Sequence, residues 1–109
     1  MKFKYINIHP FKYKLKYPKT SNSDTHGITN NKLRTVTIYP HGDDQQERDT
    51  LLHEALHALL HECLFFGDND AQEEEFVLRF TPRLLAFMQD NPKIVEFLVN
   101  EEKTDKDIE

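Results

Sequence analysis

The sequence predicts an α+β domain in which strands come first and helices follow. Residues 11–17 alternate aromatic or leucine side chains with lysines, a period of two that is typical of a half-buried strand. From residue 44 onward, apolar residues recur at helical spacing instead. Separate runs of strands and helices favour an α+β architecture. The chain of 109 residues suits one domain with a modest core, which we assign to residues 1–100.

Three strands are expected in the first forty residues. Residues 2–17 form either two short strands or one long bent strand, because His9-Pro10 interrupts the pattern and proline withdraws a hydrogen-bond donor from the sheet. Residues 20–27, TSNSDTHG, have the composition of a loop rich in turns. Residues 34–40, RTVTIYP, are β-branched and aromatic and predict the third strand.

The first helix is predicted from about Asp44 to Leu64. Asp43 and Gln46 have the spacing of an N-cap residue and its N3 partner. Leucines and alanines recur at helical spacing along this segment, and Cys63 continues the same apolar face. A buried helical cysteine is therefore the expected role of Cys63.

Two further helices are predicted near the C-terminus. Asp70 and Glu73 have the spacing of a capping box, with Asp70 as N-cap and Glu73 as the N3 residue. Pro82 is expected to kink or divide this helix. Asn91 and Pro92 have the N-cap and N1 residue types of the last helix. Beyond it, residues 101–109 form a charged tail that we expect to be disordered.

Composition and cysteine content favour a cytoplasmic protein. No apolar run reaches the roughly 18 residues of a membrane span, and the N-terminus lacks the continuous apolar segment of a secretory signal. The single cysteine excludes an internal disulfide and fits a reducing compartment. We therefore expect cytoplasmic residence and no membrane partner.

Charge is distributed unevenly along the chain, whose net charge is −5. Residues 1–40 hold eight Lys/Arg and one acidic residue, which gives +7, so the remaining residues carry −12. A basic segment of this kind can meet an anion. The favoured interpretation is a solvated, lysine-rich strand face beside an acidic helical half, and the acidic half makes nucleic acid an unlikely partner.

The motif that carries chemistry lies within residues 51–62, LLHEALHALLHE. His53 and His57 are four residues apart, which places them one turn apart on the same helix face. Two imidazoles so placed can bind one Zn²⁺ at about 2 Å. Glu54 can accept a proton from the activated water and pass it to a leaving amine. The alternative is that both histidines are core residues whose hydrogen bonds are satisfied within the fold.

A catalytic zinc needs a third protein ligand and an open position. The candidates are His61, Cys63 and the glutamates 73–75. His61 lies ~12 Å from His53 along a straight helix axis, so one metal cannot bind both. We expect His61 to contact the metal ligands without binding the metal, or to belong to the core. On the following helix, helical phase places Glu73 on the face that packs against the first helix and Glu74 at the border of that face. Glu75 points away from the packed face.

The segments TVTIYP, ERDTLLHEALHALLHE and EEEFVLRFTPRLLAFMQDNP resemble small phage and bacterial zinc metallopeptidase-like proteins. These are related to the gluzincins and share features with ImmA/IrrE and SprT-type domains. The resemblance covers roughly residues 11–100. It implies a minimal zincin-like fold: a small three-stranded sheet, an H-E-x-x-H helix and two more helices. It implies that His53 and His57 are zinc ligands and that Glu54 is the general base.

Glu74 is our choice for the third ligand. Glu73 is geometrically able to serve, but as the N3 residue it is expected to turn back to the backbone of the N-cap residue. That would leave Glu74 free to reach a metal between the two helices.

The expected function is hydrolysis of peptide bonds in a peptide or protein substrate by a zinc metallopeptidase. An extended substrate could pair with the strand at residues 34–40, which we expect at the sheet edge above the cleft. The alternative is a zinc-binding, catalytically silent, phage-type interaction protein. The small size of the chain favours this alternative, whereas Glu54 opposes it because a structural site has no use for a base.

Overall fold

The computed structural model describes residues 3–40 and 42–100, and it confirms the α+β class. A four-stranded sheet is followed by three helices. The strands are β1 (Tyr5–Ile8), β2 (Phe11–Lys16), β3 (Gly27–Asn30) and β4 (Thr35–Ile38), and the helices are α1 (Asp44–Glu62), α2 (Asp70–Asp90) and α3 (Pro92–Val99). None of these helices is both long and apolar enough to cross a membrane. The predicted tail at 101–109 lies outside the described residues.

The prediction of three strands is wrong, because β3 was missed. This strand has only four residues, GITN, and it follows directly on the turn-rich segment. Glycine and asparagine are poor strand formers, so the local pattern is weak. The strand is stabilised instead by its pairing with β4, to which it is antiparallel along its whole length. The N-terminal region forms the two short strands of the first alternative, separated at His9-Pro10.

The strand order in the sheet is β1-β2-β4-β3. The β2–β4 pair is parallel, and the other two pairs are antiparallel. The segment RTVTIYP, which contains β4, was expected at the sheet edge above the cleft. That expectation is wrong, because β4 lies between β2 and β3. β3 occupies that edge because the chain passes from β2 to the outside of the sheet and then returns between its two neighbours.

The core lies between the sheet and α1. Inward-facing side chains of β1, β2 and β4 pack against Ala58, which is small enough to let the helix approach closely, and against Leu51. On its other side α1 contacts α2, whose Val77 and Thr81 are fully buried. α1 is therefore the middle layer, and its side chains can contact the sheet on one side and α2 on the other. The inward-facing strand residues are Ile8, Tyr13, Leu15, Val36 and Ile38.

The helix ends follow the predicted signals with one correction. Asp43 caps α1, and its side chain accepts a hydrogen bond from the Gln46 amide. The N-cap of α2 is Asn69 and not Asp70, since the Asn69 side chain accepts from the Gln72 amide. α2 also continues through Pro82 without division.

A polar cluster joins the sheet to the C-terminal end of α1. The fully buried Tyr13 hydroxyl lies 2.9 Å from Glu62 Oε2 and 3.2 Å from Asn31 Oδ1. Burial, helped by the hydrogen bond to Glu62 and by its charge, raises the pKa of Tyr13 to about 12. The neutral phenol is therefore the form that the fold stabilises.

Candidate metal centre

Two imidazoles project from the same face of α1. His53 and His57 are one turn apart, and their ring centroids are 5.0 Å apart with an angle of 62° between the ring planes. Both side chains are mostly buried, with 21% and 16% of their surfaces exposed. The i, i+4 spacing in the sequence thus produces a pair of neighbouring nitrogen ligands in the structure.

The third ligand group comes from the first turns of α2. Glu74 Oε1 lies 2.9 Å from His57 Nε2, and Glu74 Oε2 lies 3.8 Å from His53 Nε2. One potential ligand atom from each of the three residues lies within 4.8 Å of the others. Zinc binds histidine nitrogen and carboxylate oxygen at about 2.0–2.2 Å, so small side-chain adjustments allow one ion to contact all three. The residues could therefore hold a metal ion.

The chemistry of this donor set fits zinc. Two imidazoles and one carboxylate are the three protein ligands of many catalytic zinc sites, which keep a fourth position open. Glu74 is half-exposed, so the group faces solvent on one side. The hydrogen bond between His57 Nε2 and Glu74 Oε1 needs a proton between these two atoms, and a metal bound at Nε2 would take the place of that proton.

Glu73 contacts the back of one imidazole. Its Oε2 lies 2.7 Å from His57 Nδ1, and its side chain is mostly buried. A proton on Nδ1 donated to Glu73 orients the ring and leaves Nε2 available to a metal, as is usual for histidine ligands. The expectation that Glu73 turns back to the N-cap is wrong. Because the cap is Asn69, Glu73 is the fourth helical residue and lies beyond the reach of a capping box.

The remaining candidates lie away from the group. Glu75 forms an ion pair with Arg79 on the exposed side of α2. His61 does not belong to the group, as its distance along the helix predicts. It is exposed, so the alternative that it is a core residue is wrong. Cys63 is exposed at the C-cap of α1 and is not the buried residue that its spacing suggested. The helix ends there, so helical periodicity no longer describes its environment.

Glu54 points to the sheet side of the histidines. Only 6% of its surface is exposed, and its Oε1 lies 2.5 Å from the Thr29 hydroxyl on β3. It lines a cleft of about 320 Å³ together with His53 and Glu74. The walls of this cleft are the loop before β3, one side of α1 and the start of α2. A buried carboxylate therefore opens onto the same space as the candidate ligands.

Two residues near Glu54 were missed by sequence reasoning. Gly27 and Thr29 belong to the unpredicted strand β3, and their side-chain positions face α1. Two residues that are two positions apart lie on the same face of a strand, and this spacing was the only hint in the sequence. The hint has meaning only once residues 27–30 are known to form a strand.

No family model, no curated protein and no solved structure matches this chain.

Proposed function

We propose that the protein is a zinc-dependent metallopeptidase that hydrolyses peptide bonds. One observation carries the proposal: His53, His57 and Glu74 form a potential metal site, and Glu54 lines the same cleft. Zinc bound there supplies Lewis-acid activation of water at neutral pH. The proposal includes a cytoplasmic site of action and a minimal zincin-like fold. The resemblance to phage and bacterial metallopeptidase-like proteins supports it.

Each residue of the site has a distinct role in this proposal. His53, His57 and Glu74 hold the metal, and Glu73 fixes the ring orientation of His57 through Nδ1. Glu54 accepts a proton from the attacking water at a carboxylate oxygen and then transfers it to the leaving amine. Its side chain is buried but lines the cleft, so its contact with solvent is through that space.

The substrate proposed here is an extended peptide that pairs with β3. This strand lies at the edge of the sheet, and within the described residues its outer side has no neighbouring strand. Backbone hydrogen bonds to Gly27–Asn30 would add the peptide as a further strand above the cleft. Such pairing reads side chains weakly, so sequence preference would come from the cleft walls, from a partner or from tethering.

Glu54→Gln tests the enzymatic role directly. The substitution keeps the shape of the side chain and removes the proton acceptor. We expect the variant to bind zinc as the wild type does and to lose cleavage of a mixed peptide library, detected by mass spectrometry. Cleavage at the wild-type rate by Glu54→Gln would contradict the role of Glu54 as the base.

An exposed apolar surface favours a second candidate function, that of a catalytically silent, phage-type interaction protein that binds zinc for stability. Phe76 and Phe80 stack on the outer side of α2, and α3 leaves Phe97 and Leu98 about two-thirds exposed. Apolar surface of this kind is typical of protein–protein contacts. If Glu54→Gln retains every partner effect of the wild type and neither protein cleaves peptides, this second function is correct.

A further inference from the structure

We infer that Thr29 is a positioning residue that holds Glu54 in the geometry of a general base, an inference that rests on the proposed function. The Thr29 hydroxyl oxygen lies 2.5 Å from Glu54 Oε1 and 3.0 Å from the backbone carbonyl oxygen of Glu54. The residues are 25 positions apart, so this contact joins the edge strand of the sheet to the metal-binding helix.

The hydroxyl can act on only one of the two carboxylate oxygens. It has a single proton and two nearby acceptors, and the shorter contact is to the side-chain oxygen Oε1 and not to the backbone carbonyl. Donation to Oε1 occupies a lone pair of that oxygen, makes it less basic and restrains rotation of the carboxylate. The other oxygen, Oε2, is then the better acceptor for the proton of the attacking water. In this inference Thr29 selects the oxygen of Glu54 that acts as the base.

Gly27 makes this contact sterically feasible. A Cβ atom at Gly27 would lie 3.0 Å from Glu54 Cγ and 2.9 Å from Thr50 Cγ2. Only a residue without a side chain lets β3 approach α1 this closely. Gly27 and Thr29 face α1 on alternate positions of the strand, one providing the space and the other the hydrogen bond. The strand proposed to bind the substrate therefore also orients the base.

The contact itself is tested by ¹³C NMR of the Glu54 side-chain carboxyl group, assigned through its loss in Glu54→Gln. Thr29→Val, which keeps the shape but not the hydroxyl, should shift this resonance. Thr29→Ser, which restores the hydroxyl, should return it to the wild-type position, and Thr37→Val on the outer face of the sheet should leave it unchanged. An unshifted Glu54 resonance in Thr29→Val overturns the inference, whether or not the protein binds zinc.

The positioning role is tested by a double-mutant cycle on the zinc-loaded protein, with acetohydroxamate as the probe. A hydroxamate chelates the metal and gives its proton to the neighbouring carboxylate, so its affinity depends on a correctly placed Glu54. Thr29→Val should weaken binding by about tenfold or more and lower kcat for peptides without a matching rise in KM. In the Glu54→Gln background the same change should have no effect, because no base is left to position.

The outcomes separate this inference from the proposed function. An equal loss from Thr29→Val in both backgrounds would mean a general structural effect and would overturn the positioning role. A wild-type protein that binds zinc and acetohydroxamate but cleaves no peptide would end the metallopeptidase proposal. The carboxyl resonance and the cycle would still decide whether Thr29 positions Glu54.

Discussion

Three consecutive glutamates at the start of α2 have three different environments. Glu74 faces both candidate histidine ligands, Glu73 contacts only the Nδ1 side of His57, and Glu75 pairs with Arg79 on the surface. Successive residues of an α-helix are rotated by about 100°, so only one of the three carboxylates reaches both imidazoles. Their contributions to metal binding should differ accordingly.

We predict that Glu74→Ala lowers zinc affinity more than any other single change in this run. Glu73→Ala should cost roughly 10–100-fold, the usual effect of removing a partner that orients a histidine ligand. Glu75→Ala is the matched control and should bind zinc like the wild type. Competition with a chromophoric chelator measures all three. A larger loss for Glu73→Ala than for Glu74→Ala would identify Glu73 as the ligand instead.

Helix periodicity was enough to pair His53 with His57, because their spacing depends only on the phase of one helix. It left both Glu73 and Glu74 able to face the histidines, and the capping argument that favoured Glu74 was wrong, although Glu74 does lie beside both imidazoles. The role of Glu73 could not be predicted in the same way. It depended on whether Asn69 or Asp70 caps α2, and both residue types are good N-caps. The contact of Thr29 with Glu54 could not be predicted from the sequence either, because it joins two elements that only the tertiary structure brings together.

Among the elements, β3 was the least predictable, although it supplies the hydrogen bond to Glu54. The helices could be predicted from local signals such as caps and apolar spacing. The position of β3 at the edge depends on non-local pairing with β4, for which its four residues contain little signal. The same strand carries Gly27, whose missing side chain sets the distance between the sheet and α1.

Gly27→Ala should destabilise the protein by about 1–3 kcal/mol and should also weaken hydroxamate binding by the zinc-loaded form. The new Cβ would lie about 3.0 Å from the backbone carbonyl oxygen of Thr37, which cannot move without disturbing the sheet. Gly42→Ala is a useful control. Unlike Gly27, Gly42 has a positive φ, +98°, which strains any residue with a side chain, but nothing lies within 4 Å of the added atom. Urea unfolding and hydroxamate titration measure both effects, and equal probe affinities in the two variants would contradict this packing argument.

The contact between β2 and the end of α1 predicts a loss of stability at high pH. Because the folded state raises the pKa of Tyr13 to about 12, the contribution of the buried phenol is complete below pH 10. It should be lost as the pH rises from about 10 to about 12, by an amount on the order of 2 kcal/mol. In Tyr13→Phe the free energy of unfolding, measured with urea between pH 8 and 11, should fall less as the pH rises. A parallel decline in both proteins would contradict the assignment to Tyr13.

On the scale of the whole molecule, α1 is packed between the sheet and α2, and the candidate metal site joins two of these three layers. Val77 and Thr81 bury the α1–α2 contact further along α2, while many other residues of α2 remain exposed. A metal bound by both helices would add a cross-link where apolar packing is limited. Binding free energy of such a site becomes folding free energy. Zinc should therefore raise the thermal stability of the protein, and a chelator should lower it.

The most direct test is the metal content of protein purified gently without added zinc, measured by elemental mass spectrometry. We predict about one equivalent of zinc in the wild type, none in His57→Ala, and a wild-type content in His61→Ala, which changes an exposed histidine of the same helix. The melting temperature should fall in His57→Ala alone. A wild-type protein without tightly bound metal, or a His57→Ala variant that keeps its zinc, would contradict the central claim that this helix pair is a zinc site.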